Sequence, residues 1–350
     1  MTQSIPYLFM RGGTSRGPVF RREDLPKDRE SLSDTLAAVI GAGHPLCIDG
    51  VGGSASVQCK VVMISPSDDP AIDVDYFFAQ VGNANRAVDY GPTCGNMLAT
   101  VGPAAVELGL VAPKDRLIVR AVNTDARIEV RFALAGGMPV YAGTMRIDGV
   151  PGTAAPIALS FFDVMGSKTG ALFPTGYRID KIQGVPVTCI DVAVPVVVLR
   201  ASDVGLSGRE APGDFESMPD VMEHLEKLRV EAGARMGLGD VSDSVLPKVA
   251  VLSPSDPEEA SARVQYLTPK QCHPTIAVTG AQAIASCVAI PDTITSSHQF
   301  NTGSQTVTLQ HPGGKITVSI DVAGGAAMPK IQSTEIVRTA RKIASGHVHI

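Results

Sequence analysis

Two hydrophobic patterns divide the chain. The first is alternation. In RLIVRAVNTDARIEVRFAL (116–134) apolar and polar residues take turns, as they do in half-buried strands. The second is continuous. KVVMI (60–64) and KVAVL (248–252) are apolar runs led by lysine and ended by Ser-Pro, which predicts a strand closed by a turn. Residues 96–110 and 275–289 are apolar on nearly every face. A helix with no polar face must be buried all round. Together the patterns predict an α+β fold in which strands curl around a central helix.

The pattern also repeats. KVVMISPSDDP (60–70) matches KVAVLSPSDPE (248–258), and VDYFF (74–78) matches VQYLT (264–268) with Tyr76 against Tyr266. CGNMLATVG (94–102) lies against CHPTIAVTG (272–280), and IPYLFMRGGTSRGPVFRREDL (5–25) resembles VPVTCIDVAVPVVVLRASDV (185–204) with one gap. Four blocks in one order indicate two homologous domains, 1–184 and 185–331. The segment 332–350 is a candidate to return and complete the first. Duplicated domains commonly hold a ligand at their interface.

Composition narrows the function classes. The 350 residues are long enough for two domains, and 44% hydrophobic with 19% charged residues suits a globular protein. The formal charge is −5 and no Lys/Arg run exceeds two residues, so neither nucleic acid nor an acidic membrane is an expected partner. Gly and Pro break the longest apolar segments short of a membrane span. No signal peptide is visible, which makes the cytoplasm the default location. Six scattered cysteines show no CxxC spacing. Free thiols are expected, with no metal site.

Candidate chemistry gathers at loop–helix junctions. Cys94 sits before Gly95 and Asn96 at the mouth of the first apolar helix, where unpaired N–H groups favour anions and thiolates. Gly-Asn makes poor core and a good oxyanion cradle, so Cys94 reads as functional. Cys47, Cys189 and Cys287 read as core. Cys272 and His273 are expected to open the partner helix in the same way. Lys60 follows the Gly/Ser-rich loop IDGVGGSASVQC (48–59) and leads a buried strand. Such a lysine usually snorkels to solvent, but desolvation can instead make it a base. Lys248 holds the matching position behind a more acidic loop. In RGGTSRG (11–17), Arg11, Thr14, Ser15 and Arg16 offer a carboxylate clamp; the Walker pattern of a phosphate loop is absent.

With these residues in view the chain resembles the methylaconitate isomerase (PrpF) family, most closely its 4-oxalomesaconate tautomerase branch. The resemblance spans nearly the whole chain. It rests on RGGTSRG, IDGVGG before Lys60, DYGPTCGNM (89–97), PTG (174–176), LGDVS (238–242), Pro247-Lys248 and VRTAR (337–341). One departure is Gln58-Cys59 before Lys60, where small hydroxyl residues are expected. The resemblance implies a diaminopimelate-epimerase-like fold, two domains each rolled around a central helix with the site between them. It implies that Lys60 is the catalytic lysine and Cys94 the active-site cysteine. The implied reaction is cofactor-free proton transfer on an unsaturated tricarboxylate, 4-oxalomesaconate of aromatic-acid breakdown being the foremost candidate.

Three alternatives stay open. A two-thiol racemase or epimerase would use Cys94 and Cys272 on opposite faces of one carbon and leave Lys60 idle. Cis–trans isomerisation of 2-methylaconitate would use the same lysine. A carboxylate-binding protein would bind without proton exchange. The small-molecule tricarboxylate is the expected partner, and a homodimer the expected assembly.

Overall fold

A computed structural model describes residues 3–269, 271–295 and 301–350. The chain forms two compact units, Met1–Phe161 with Val337–Ile350, and Phe162–Ile336. The units divide at Phe161/Phe162, so the junction expected near residue 184, at left-handed Gly184 between the short strand Asp180–Ile182 and the strand that begins at Val185, lies within the second unit.

In the first unit β1 (Ser4–Gly12) and β2 (Ser15–Arg21) form a hairpin. β3 (Lys60–Pro66) runs parallel to β2, and β4 (Val74–Val81) runs antiparallel to β3. β5 (Arg116–Ala121) is parallel to β4 and hairpins with β6 (Ala126–Arg131), which pairs with β7 (Pro156–Phe162). The C-terminal strand (Met328–His349) pairs with both β7 and β1 and closes the barrel.

The second unit repeats this order. β8 (Val185–Val192) hairpins with β9 (Val194–Arg200), β10 (Lys248–Ser253) is parallel to β9, and β11 (Ala262–Thr268) is antiparallel to β10. β12 (Gly303–His311) is parallel to β11 and hairpins with β13 (Gly314–Gly325), which pairs with the start of the C-terminal strand. The ladder registers refine the internal alignment. Val62 faces Phe78 in one unit while Ala250 faces Tyr266 in the other, so Phe78, not Tyr76, corresponds to Tyr266. The slip is two residues, which leaves every side chain on its proper face.

Each unit has an inner and an outer helix. The outer ones, α1 (Arg29–Ile40) and, in the second unit, a helix at Pro219–Arg235, have no counterpart among the sequence expectations. They explain why the lysine-led strands do not alternate. Val61 and Met63 pack on Leu32, Leu36 and Ile40 of α1, while Val62 and Ile64, also fully buried, occupy the opposite face. A strand covered on both faces reads as a continuous apolar run. Asp28 caps α1 by accepting from Ser31 N (2.8 Å), and Gly41 ends it in the left-handed conformation.

The inner helix of the first unit is broken into α2 (Gly95–Leu98) and α3 (Val101–Glu107). Pro103 accounts for the break, since it has no N–H to give the carbonyl of Ala99 and its ring crowds that turn. Thr100 stitches the gap, donating from N and Oγ1 to Met97 O at 2.9 and 2.7 Å. The corresponding helix of the second unit spans Val278–Ala289 and is buried from Gly280 to Val288.

Candidate active site

Cys94 is the residue that precedes α2, in extended conformation, and its thiol caps nothing. Its carbonyl accepts from Leu98 N (2.9 Å), the first bond of the helix, and from Tyr76 Oη (3.1 Å). The N–H groups of Gly95 and Asn96 precede that first bond. Cys94 is the only one of the six cysteines that is not buried. Burial pushes the thiols of Cys189 to about 12 and of Cys272 and Cys287 to about 11, and raises that of Cys47. Those four are thereby held as thiols at neutral pH.

Lys60 opens β3 directly opposite Gln80 of β4. Its Nζ donates to Gln80 Oε1 (2.7 Å) and lies 5.4 Å from the centroid of the Phe78 ring. Gln80 is fixed in turn, donating from Nε2 to Ser56 O (3.1 Å) and Cys59 O (3.0 Å). Phe78 leans on Tyr76 with ring centroids 6.4 Å apart, and Tyr76 reaches the Cys94 carbonyl. Lys60, Phe78 and Tyr76 share the inner face of the sheet, so one row of side chains leads from the amine to the backbone carbonyl of Cys94. Burial first, then the neighbouring Cys94, holds the Tyr76 phenol far above its ordinary range, so it stays a neutral donor.

The RGGTSRG hairpin spans the same two places. A Cβ at Gly17 would collide with the carbonyl oxygen of Lys60, and a Cβ at Gly12 or Gly13 would collide with Asn96. Gly13 has φ +51° at the first position of a two-residue hairpin connection, a place that suits glycine. Close backbone approach thus requires three glycines. It seats the hairpin against Lys60 at one end and Asn96 at the other.

The polar residues of that hairpin fall on two faces. Gly12 pairs with Ser15 and Met10 with Gly17, on the inner face, and Ser15 is buried there. Thr14 Oγ1, in the connection, accepts from Asn96 Nδ2 (3.1 Å). Arg11 pairs with Arg16 and with Arg341, and strand parity puts this row on the face opposite Lys60. The Arg11 guanidinium is engaged through Nη1, which donates to Gly13 O, Thr339 O and Thr339 Oγ1, each at 3.0 Å. Arg16 lies 5.7 Å from the Phe9 ring centroid and buries its Nε without a partner.

Sequence reasoning did not single out Arg338. Its Nε donates to Asn96 Oδ1 (3.2 Å) and its Nη1 to its own neighbour's carbonyl, Val337 O (3.0 Å). Burial lowers its pKa to about 10. The motif VRTAR carried the signal, but a strand residue 242 positions from Asn96 betrays no contact in the sequence.

In the second unit the expected helix mouth is corrected. Cys272 lies in a two-residue strand, Gln271–Cys272, opposite Leu267, and its helix begins only at Val278. Pro274 and the local bonds divert the chain. His273 N donates to Tyr266 O (2.7 Å), and His273 Nδ1 accepts from Thr275 N (3.0 Å). Lys248 opens β10 as Lys60 opens β3, but burial and the nearby Arg229 lower its pKa to about 8. Among the described residues, no three His, Cys, Asp or Glu side chains gather as a metal's ligands would.

A family model described as PrpF protein matches residues 2–350. The chain is 43% identical over 351 residues to a putative isomerase, YbhH, of Escherichia coli strain K12, covering 99% of each. Against the 4-oxalomesaconate tautomerase of Pseudomonas putida the identity is 40% over 351 residues, covering 99% of this chain and 96% of that protein. The crystal structure of methylitaconate-delta-isomerase matches with a TM-score of 0.84 and 29% identity, covering 100% of this chain and 96% of the other.

Proposed function

The chain belongs to the PrpF family and is an isomerase, and from that premise we propose that it shifts a proton within an unsaturated tricarboxylate, 4-oxalomesaconate. Lys60 and Cys94 carry the proton, one taking it and the other returning it. The observation that supports this reading is the inner-face row from Lys60 through Phe78 and Tyr76 to the backbone carbonyl of the one cysteine that is not buried.

A carbon acid flanked by a double bond and a carbonyl loses its proton to give a delocalised dienolate. Reprotonation at the far allylic carbon completes the isomerisation, and no electron leaves or enters. Gln80 holds the Lys60 amine on one bearing, which limits the conformations it must search. The N–H groups of Gly95 and Asn96 are disposed to face the charge that develops on oxygen. The two-thiol alternative needs Cys272 as a thiolate, and burial opposes that by holding its thiol near 11.

The reading includes a cytoplasmic homodimer that serves aromatic-acid breakdown. Its test is proton NMR of the protein with 4-oxalomesaconate in D2O. A new isomer carrying deuterium at an allylic carbon is expected. Unchanged substrate with no deuterium would remove this compound as the substrate.

A further inference from the structure

We propose that Arg338 is the carboxylate-binding residue of this site and sets its preference for a substrate with three carboxylates. The inference rests on the tricarboxylate reading above. Its starting point is the failure of the obvious clamp. Arg11 and Arg16 lie on the face of the sheet opposite Lys60, and Arg11 is already tied to Gly13 and Thr339.

Arg338 has the reverse placement. The ladder pairs Arg11 with Arg341 and Gly12 with Ala340. Continuing the alternation puts Arg338 on the face of Gly12, which is the face against Asn96. The bond from Arg338 Nε to Asn96 Oδ1 is the direct evidence of that placement. Asn96 is two residues from Cys94, and its other amide atom is fixed by Thr14. The Arg338 side chain is therefore anchored at Nε on Asn96, in the first turn of the helix that Cys94 precedes.

Its hydrogen bonds leave the fork incomplete. A guanidinium has five N–H donors, and here two bonds are made, one to Asn96 and one to Val337 O. No carboxylate of the described residues lies in ion-pair range of Arg338. A partly buried cation without a counter-charge is unfavourable unless something supplies one. A substrate carboxylate would do so with two parallel N–H···O bonds, the geometry a guanidinium matches best. Lowering of the Arg338 pKa by burial agrees with that deficit.

The test compares ligands that differ by one carboxylate. Propane-1,2,3-tricarboxylate and glutarate serve as competitive inhibitors of wild type, Arg338→Gln and Arg338→Lys, with 4-oxalomesaconate as substrate. Removing the fork is expected to weaken the tricarboxylate by roughly 30-fold, the worth of a charge-assisted pair, and glutarate by only about 3-fold. Arg338→Lys should fall between, and added guanidinium ion should restore part of the loss in Arg338→Gln. Circular dichroism reports whether each variant is folded, and an unfolded Arg338→Gln leaves Arg338→Lys to carry the comparison. Equal weakening of both inhibitors, or none, overturns the role of Arg338 while turnover by wild type keeps the tricarboxylate reading intact. A wild-type enzyme that neither turns over the substrate nor binds the tricarboxylate overturns both.

Discussion

Lys60 and Lys248 stand at the same place in two copies of one fold, yet they meet opposite surroundings. Each begins a strand flanked by a parallel neighbour and an antiparallel one. Lys60 finds a neutral amide, Gln80, held by two carbonyls, and an aromatic ring under its amine. Lys248 finds another cation, Arg229, whose own guanidinium is committed to Glu226, Val241 O and Leu246 O. The cysteines diverge in the same direction. Cys94 keeps some exposure at the start of a helix, whereas Cys272 is buried in a strand. The two copies of one scaffold thus surround the same residue types differently, and on the proposed function only the Lys60–Cys94 half carries the proton.

The largest expected effect separates the lysines. Lys60→Ala should lower kcat by about 1,000-fold, within the usual range for losing a proton-transfer group. Lys248→Gln should leave kcat near the wild-type value. NMR rates on the two variants check the pair, and equal losses would break the comparison. Gln80→Leu removes the partner that aims Lys60 and should cost roughly 10-fold in kcat with little change in KM.

Stability distinguishes the half-sites next. Gly17→Ala forces a Cβ into the Lys60 carbonyl, and overpacking of this kind costs about 2 kcal/mol. Urea unfolding of the variant measures it, and an unchanged midpoint would mean that the hairpin can move away. Lys248 supplies a pH signature instead. Its folded pKa of about 8 lies below the ordinary lysine value, so between those two pH values the unfolded chain binds the extra proton. Its cost to stability is present in full below pH 8 and is relieved as pH rises toward 10.5. Lys248→Gln should accordingly be more stable than wild type at pH 7, by about 2 kcal/mol. That advantage should shrink by pH 10 in paired urea titrations.

Much of this architecture was legible because the repeated features are local. The two lysine-led runs, the Ser-Pro turns and the all-apolar inner helices mark both units without any knowledge of pairing. The outer helices escaped notice, although Asp28 and Gly41 bracket α1 with a cap at each end. The alignment of Tyr76 with Tyr266 slipped by two residues, because identity of residue type outweighed a register that only the ladders define. The face of Arg11 and Arg16 likewise follows from pairing parity. Arg338 belongs to a strand that returns from the far end of the chain, so its bond to Asn96 is a product of topology. Analogy with Cys94 puts Cys272 at a helix mouth, but Cys272 lies in a strand and the helix starts only at Val278, beyond Pro274.

The most direct test of the unequal half-sites compares Cys94→Ser with Cys272→Ser in one deuterium-incorporation experiment with 4-oxalomesaconate. The account predicts that Cys94→Ser abolishes entry of deuterium into the product isomer while Cys272→Ser retains wild-type incorporation. Loss of incorporation in both variants, or in Cys272→Ser alone, would contradict it and return the chemistry to a pair of thiols.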